Sequence, residues 1–352
     1  MRDMAIWEDG SRRDIVSAWM VDPHSLDSVR GEVQGLMREG CSLTMGYYTD
    51  NRLTGQMQTL GRTGWQDGSW VRLVLECPDY AYRAELATLI PSRSEEASRA
   101  GATEISWDLQ SQLWAISEDT LPSHFSIGQG ALATDVFRRI CSTVGKECSV
   151  LPGTYEHRYQ QTVAYELGDS FRSDLYDVCT KSGNRLDTDE HGRITMGPYV
   201  APSKRSPDWV LDTASKRSIV LDDGYGWTDE FGSVPSRSVV IYKQGDTEIA
   251  AAADVPTTSR HSPSRRGYTV AEQHSLTDMS PATQAQAQRL ADEYIKADSD
   301  SKRELTVKTL YFPVRAGDMV LWRDGGEETL CLAKEADIDL GKMTIDLTLK
   351  EA

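Results

Sequence analysis

The 352-residue sequence predicts a mainly β protein with an α+β insertion, two antiparallel β-barrel or sandwich domains flanking a small α+β module. Three observations carry this. Both ends of the chain consist of short strand-like segments bounded by turn residues, and only the middle sustains helical spacing through two successive segments. The composition, 39% hydrophobic and 26% charged, is that of a globular chain able to bury real cores. At about 150 residues per domain the length allows two to three domains. We set them at residues 1–122, 123–205 and 206–352, the last with an inserted helix at 281–297.

The first domain reads as strands with one short helix. His24 to Arg38 sets Val29, Val33 and Leu36 at i, i+4 and i+7, the spacing of one helical face, and Gly40 follows as a stop. Strands are expected at Leu43–Tyr48, Trp70–Cys77, Tyr80–Ile90 and Thr103–Ile116. In the second of these, Val71, Leu73, Leu75 and Cys77 make a wholly apolar face against the mixed face of Trp70, Arg72, Val74 and Glu76. Leu121 to Gly130, with Pro122, Gly128 and Gly130, reads as a boundary.

In the middle third, Leu132, Val136, Ile140 and Val144 recur at fours, so Ala131–Val144 is a helix ended by Gly145. Ser170–Ser182 is a second helix, with Phe171, Leu175 and Val178 on one face and Gly183 closing it. Arg185–Asp187 and Arg193–Met196 then flank Asp189-Glu190-His191-Gly192, a hairpin turn with glycine where φ must be positive.

The last part opens with Asp208–Leu221 and turns at Gly224, Gly226 and Gly232. Ser238–Lys243 and Thr247–Ala253 form a hairpin across Gly245-Asp246, and Val255–Tyr268 reads as a loop. Pro281–Ala297 is the clearest helix, with Ser280 at the N-cap, Pro281 first, and Ala287, Leu290, Ala291 and Tyr294 on one face. Strands at Glu304–Phe312, Met319–Arg323, Glu328–Asp339 and Met343–Lys350 end the chain.

Charge and chemistry exclude several functions. With 54 acidic against 38 basic side chains the net charge is −16, which argues against a grip on nucleic acid, because phosphate binding is driven by Lys/Arg neutralisation. Met1–Gly10 has no apolar h-region, and no stretch approaches the ~18–20 apolar residues that cross a bilayer, so we expect neither a signal peptide nor membrane insertion. Cys41, Cys77, Cys141, Cys148, Cys179 and Cys331 contain no CxxC and read as buried free thiols.

Enzyme-like patterns weaken on inspection. Gly128-Gln129-Gly130-Ala131-Leu132-Ala133 matches a dinucleotide fingerprint but follows no buried parallel strand, and reads as a helix-entry turn. Asp187 to Gly192 imitates an EF-hand start, yet position twelve is Pro198 where a bidentate Glu is required. His24, His124, His157, His191, His261 and His274 show no zinc spacing. The carboxylate pairs Asp222-Asp223 and Asp229-Glu230 sit between turn glycines, where solvated acids far outnumber catalytic ones. Sequence cannot measure their separation, so a hydrolase of peptidoglycan or polysaccharide stays open as the alternative. Trp70, Trp107, Trp114 and Trp322 lie in strand patterns and are expected in core or interface. No catalytic, cofactor-binding or metal residue is assigned.

The order of segments from Pro235 to Leu332 resembles the hub proteins of long-tailed bacteriophages, a family of baseplate hubs, late control proteins and siphophage tail-associated hub proteins. It rests on Pro235–Tyr242 as a strand, a Ser/Pro/Arg-rich stretch ending near Gly267-Tyr268, the Thr277–Ala297 helix and the strand Glu304–Leu310. Pro313-Val314-Arg315-Ala316-Gly317-Asp318-Met319-Val320 follows, where Gly317-Asp318 makes a tight turn that launches the next strand. The resemblance is strongest over residues 125–352. It implies two tail-tube-like barrels around the module, a homotrimer whose three copies ring a DNA channel, and a structural role at the tail tip of the virion. Implied partners are the distal tail or tube protein, the tape measure protein and tip or fibre proteins. DNA would pass without specific binding, and outward-facing apolar residues such as Trp107 or Trp322 would lie at subunit contacts. The long C-terminal extension of some relatives is expected to be missing, and with it any lytic role.

Overall fold

Strand pairing, rather than helical spacing, organises the N-terminal segment. The computed structural model describes residues 4–62, 64–99, 101–121, 124–159, 162–165, 168–229, 232–244, 247–277, 283–298 and 303–352. It opens with β1 (Ile15–Asp22), β2 (Ser25–Glu32) and β3 (Leu36–Gly46). The helix expected over His24–Arg38 is therefore a strand, a turn and the start of another strand. Its apolar triplet shares no face, since Val29 is 50% exposed while Val33 is buried. β2 instead folds back on β1, with Asp22 opposite Ser25.

β4 (Leu53–Leu60), β5 (Trp70–Cys77), β6 (Tyr82–Arg99) and β7 (Ala102–Gln110) complete the segment. β5 falls on the expected residues, but its mixed face is buried too, apart from Glu76. Arg72 is tolerated there because its guanidinium donates to Thr88 Oγ1 at 2.9 Å and Leu26 O at 2.6 Å and pairs with Glu85 at 3.3 Å. The strand expected over Thr103–Ile116 ends at Gln110. Gln112–Ser117 is helix α1, which sends Leu113 and Ile116 into the core of the module.

That module consists of β8 (Phe125–Ile127), α2 (Ala133–Thr143), β9 (Cys148–Val150), β10 (Val163–Tyr165), α3 (Phe171–Lys181), β11 (Asn184–Thr188) and β12 (Ile194–Pro198). Both helices form where the apolar spacing sets them, and Ser170 Oγ accepts the Ser173 amide at 3.2 Å as an N-cap. Their apolar faces, with Phe137, Ile140, Leu175 and Val178, pack on Leu186, Ile194 and Met196. Each such side chain contributes about 1.5–3 kcal/mol on burial. β11 and β12 pair from Asn184↔Pro198 to Thr188↔Ile194, so the expected hairpin across Asp189–Gly192 forms. Its turn also docks the module on the main sheet. Thr88 Oγ1 donates to Glu190 O at 2.9 Å, and a Cβ on Gly192 would come within 3.1 Å of Thr88. Beside it Arg193 pairs with Asp27 at 2.8 Å and Glu147 at 3.1 Å.

The remaining elements are β13 (Trp209–Asp212), β14 (Val220–Thr228), β15 (Arg237–Gln244), β16 (Thr247–Asp254), α4 (Pro263–Arg266), β17 (Ala271–Thr277), α5 (Gln284–Asp298), β18 (Glu304–Leu310), β19 (Met319–Asp324), β20 (Glu327–Asp339) and β21 (Thr344–Glu351). One 13-stranded sheet runs β14-β18-β21-β20-β3-β4-β7-β6-β5-β1-β2, with β19 on β20 and β13 on β19. The expected mainly β class holds. Of the expected barrel or sandwich domains, closed barrels do not form, since among the described residues this order has two open ends. The physical reason lies in β20: its first half pairs with β19 and its last five residues with β3, from Asp339↔Ser42 to Glu335↔Gly46. The N- and C-terminal segments thus share one sheet.

The chain divides into two compact units, Met1–Tyr225 with Thr306–Lys350 and Ala352, and Gly226–Leu305 with Glu351. In the second, β15 pairs antiparallel with β16, as the hairpin across Gly245-Asp246 requires, and parallel with β17. The turn residues themselves lie outside the described residues, as do Ser280 and Pro281. Within the described residues α5 begins at Gln284, and the Gln286 amide donates to Thr283 Oγ1 at 3.2 Å. Its Ala287, Ala291 and Ile295 pack on Val240, Ala251 and Ala253, with Leu290 and Tyr294 partly buried beside them. Gln284 Nε2 donates to Ala250 O at 2.9 Å, and Gln288 Nε2 to Ala252 O at 3.0 Å. These carbonyls lie two residues apart on β16, an end strand of its sheet.

Candidate interaction surface

The residues behind the enzyme-like patterns take structural positions. β8, before the Gly128-Gln129-Gly130 run, pairs antiparallel with β10, so that run is a helix entry. Asp229 pairs with Arg260 at 3.4 Å. Glu230 and the side chains of Asp222 and Asp223 lie outside the described residues. His191 Nδ1 is 2.8 Å from Glu85, His274 stacks on Tyr294 at 4.1 Å, and His261 is buried. Among the described residues no group of three potential metal ligands converges, and no helix is long and apolar enough to cross a membrane.

All six cysteines are free thiols and five are buried, as expected. Cys148 is half-buried, and a hydrogen bond from Cys141 draws its thiol down to about 7. Trp107 and Trp322 are 5% and 2% exposed, which corrects the expectation that they face a neighbouring subunit. Trp107 stacks on Trp65 at 4.4 Å and donates to Thr59 Oγ1, and Trp322 meets Tyr225 edge-on. Rings engaged inside the chain present no surface to a partner.

Gly317-Asp318 is a clamp as well as a turn. Asp318 is buried, and its carboxylate accepts Trp209 Nε1 at 2.8 Å and the Arg315 amide at 3.0 Å. Gly317 has φ +101°, and a Cβ there would lie 2.8 Å from the Tyr47 ring. The motif so fixes a tyrosine from the distant β3–β4 turn. Arg185, from β11, lies over the same tyrosine with its guanidinium 3.5 Å from the ring centroid, and pairs with Asp187 at 2.9 Å.

Around Tyr47 a recess of about 570 Å³ opens between the β3–β4 turn, α3 and the start of β11. Tyr48, Tyr176 and Tyr199 stand on its rim, 57%, 56% and 49% exposed. Arg52, Arg172 and Arg185 contribute guanidiniums. Arg172 pairs with Asp50 at 3.2 Å and donates to Asn51 Oδ1. Arg52 donates to Tyr47 O and, among the described residues, makes no ion pair. Its φ is +57°, a left-handed conformation that an arginine holds against strain. Burial, and then the charge of Arg185, lower its pKa from the ordinary arginine value. Sequence reading missed this group, because its members are spread from Tyr47 to Tyr199. The one local signal was the repeated Tyr47-Tyr48 followed closely by Arg52.

No family model and no curated protein matches the sequence. Solved structures do match. A tail protein from Neisseria meningitidis superposes with a TM-score of 0.71 at 12% identity, over 96% of each chain. The 43 kDa tail protein of prophage MuSo2 from Shewanella oneidensis gives 0.63 at 10% identity, over 96% of this chain and 98% of that one. A prophage tail protein from Listeria monocytogenes gives 0.57 at 8% identity, over 96% and 94%. At such identities the likeness is one of fold. Over nearly its whole length this chain has the fold of phage and prophage tail proteins, so the resemblance read from Pro235–Leu332 is borne out as a fold and extends into the N-terminal segment.

Proposed function

We propose that this chain is a structural hub protein at the distal end of a phage or prophage tail, where a homotrimeric ring joins the tail tube to tip or fibre proteins and surrounds the DNA channel. The observation that carries the reading is the whole-length likeness of fold to three tail proteins, at TM-scores of 0.57 to 0.71. In this reading residues 1–122 and 206–352 are the ring-forming segments and 123–205 the module between them. Two strand-rich segments per chain suit a sixfold tube when three chains close the ring. The neighbours are the distal tail or tube protein, the tape measure protein and the tip or fibre proteins. The chain is assembled in the bacterial cytoplasm and carried in the virion. An excess of 16 negative charges supports passage of DNA without retention, since it disfavours the phosphate contacts that bind DNA.

The role is non-enzymatic and needs no cofactor. No finding supports the hydrolase alternative, and Asp229, one of its candidate acids, is held by Arg260. Imaging of assembled tails tests the reading: three copies per ring at the tail tip are expected, and six copies overturn it. A dye-release assay on cell walls should stay at background, and clearing by the purified chain would restore the hydrolase.

A further inference from the structure

The recess around Tyr47 combines two of the side chains that most often anchor protein interfaces, tyrosine and arginine. It is also preorganised. Tyr47 is held by the close approach of Gly317 and by the Arg185 guanidinium over its ring. Asn184, at its floor, accepts the Tyr155 amide at 2.8 Å and donates to Tyr155 O at 2.9 Å. A surface already held in one arrangement loses little freedom on binding.

Charge decides what such a surface would take. Arg52 and Arg185 lie close enough to influence one another, and Asp187 is the carboxylate near both. The pair therefore keeps an unneutralised positive charge, partly buried, in a chain whose net charge is −16. A guanidinium at the edge of water and protein gains most from a carboxylate that reaches it bidentately. The strained φ of Arg52 places this guanidinium where a glycine would be more comfortable, and among the described residues its guanidinium makes one hydrogen bond, to Tyr47 O.

We propose that this recess docks an extended acidic segment of a partner protein, with a Glu or Asp carboxylate on Arg52 and the flanking side chains against Tyr176 and Tyr199. The docking site goes beyond the hub reading and is tested on the isolated chain, so the copy number of the ring does not bear on it.

The probes are two fluorescein-labelled pentapeptides, Gly-Glu-Trp-Glu-Gly and its counterpart with Gln for Glu, followed by anisotropy with the full chain. The acidic peptide should bind at least about tenfold more tightly than the neutral one, and added salt should weaken it. Arg52→Gly, which the left-handed backbone accepts without strain, should lose about tenfold in affinity while melting close to the unaltered chain. Tyr199→Ser removes a rim ring without touching the Arg52 turn and should weaken binding several-fold. Equal binding of the two peptides, no binding at all, or binding untouched by both substitutions overturns the proposal. Preferential binding of a chitin oligosaccharide would reassign the recess to a sugar. Self-association lost in Arg52→Gly, with no peptide bound, would reassign it to a second copy of this chain.

Discussion

Gly317 illustrates how a single missing side chain positions a surface. The sequence marks Gly317-Asp318 as a turn, and the turn is there, but its contact with Tyr47 comes from tertiary approach. Gly317→Ala meets both a φ of +101° and a Cβ 2.8 Å from the ring, so we expect a loss of about 2–4 kcal/mol in chemical denaturation. Asp174 gives a prediction of a different kind. It is 2% exposed, its Oδ2 has no hydrogen-bond partner, and burial, reinforced by Asp169 and Asp177, pushes its carboxyl up to about 7. A raised carboxyl favours the protonated form in the folded state. Its stability is therefore fully present below the ordinary value of 3.8 and is lost as pH rises through about 7. Asp174→Asn removes that penalty, so it should stabilise the chain by about 1–3 kcal/mol more at pH 8 than at pH 5. Melting at the two pH values checks this, and an equal gain at both would contradict it.

Elements were legible where one period runs unbroken. α2, α3 and α5 carry sustained apolar spacing, and β5 alternates without interruption, so their positions were readable. β2 and β3 were not, because their ladders contain register shifts, between Met20 and Asp22 in β1 and between Met37 and Ser42 in β3. An irregular ladder breaks the two-residue alternation and leaves chance helical spacings in its place. α1 is only six residues and was merged with the strand before it. The glutamines of α5 show a pattern with consequences beyond its own packing. Gln284 and Gln288, one turn apart, cap two carbonyls of the end strand β16, occupying groups that another strand would seek. Replacing both with Ala should cost about 1–3 kcal/mol, from two hydrogen bonds, and produce concentration-dependent self-association in sedimentation velocity. A double variant that stays monomeric at every concentration would show that the caps protect nothing.

For the whole molecule the decisive event is the pairing of β20 with β3, which joins segments nearly three hundred residues apart into one sheet. A sequence read segment by segment divides there, because each half alternates well enough to suggest its own barrel or sandwich. The proposed ring adds a requirement that one chain cannot meet alone: if three copies surround DNA, the wall facing the channel should carry more acidic than basic side chains, drawn from residues 1–122 and 206–352 alike. Charge mapped on an imaged ring checks this. A lumen lined mainly by the 27 arginines would contradict it.

By itself the sequence determined the mainly β class, the two long helices of the module with their glycine stops, the hairpin at Asp189–Gly192, the free thiols, and the segment order that resembles tail hubs. These follow from local period, turn chemistry and composition, which any stretch of chain carries within itself. Only the tertiary structure decided that strands from both ends of the chain share one open sheet, that Trp107 and Trp322 are interior, and that Tyr47, Arg52, Arg185 and Tyr199 line one recess. Each of these depends on which distant backbone supplies the hydrogen bonds and which distant side chain fills the space. Such choices are settled by long-range packing and leave no period in the sequence.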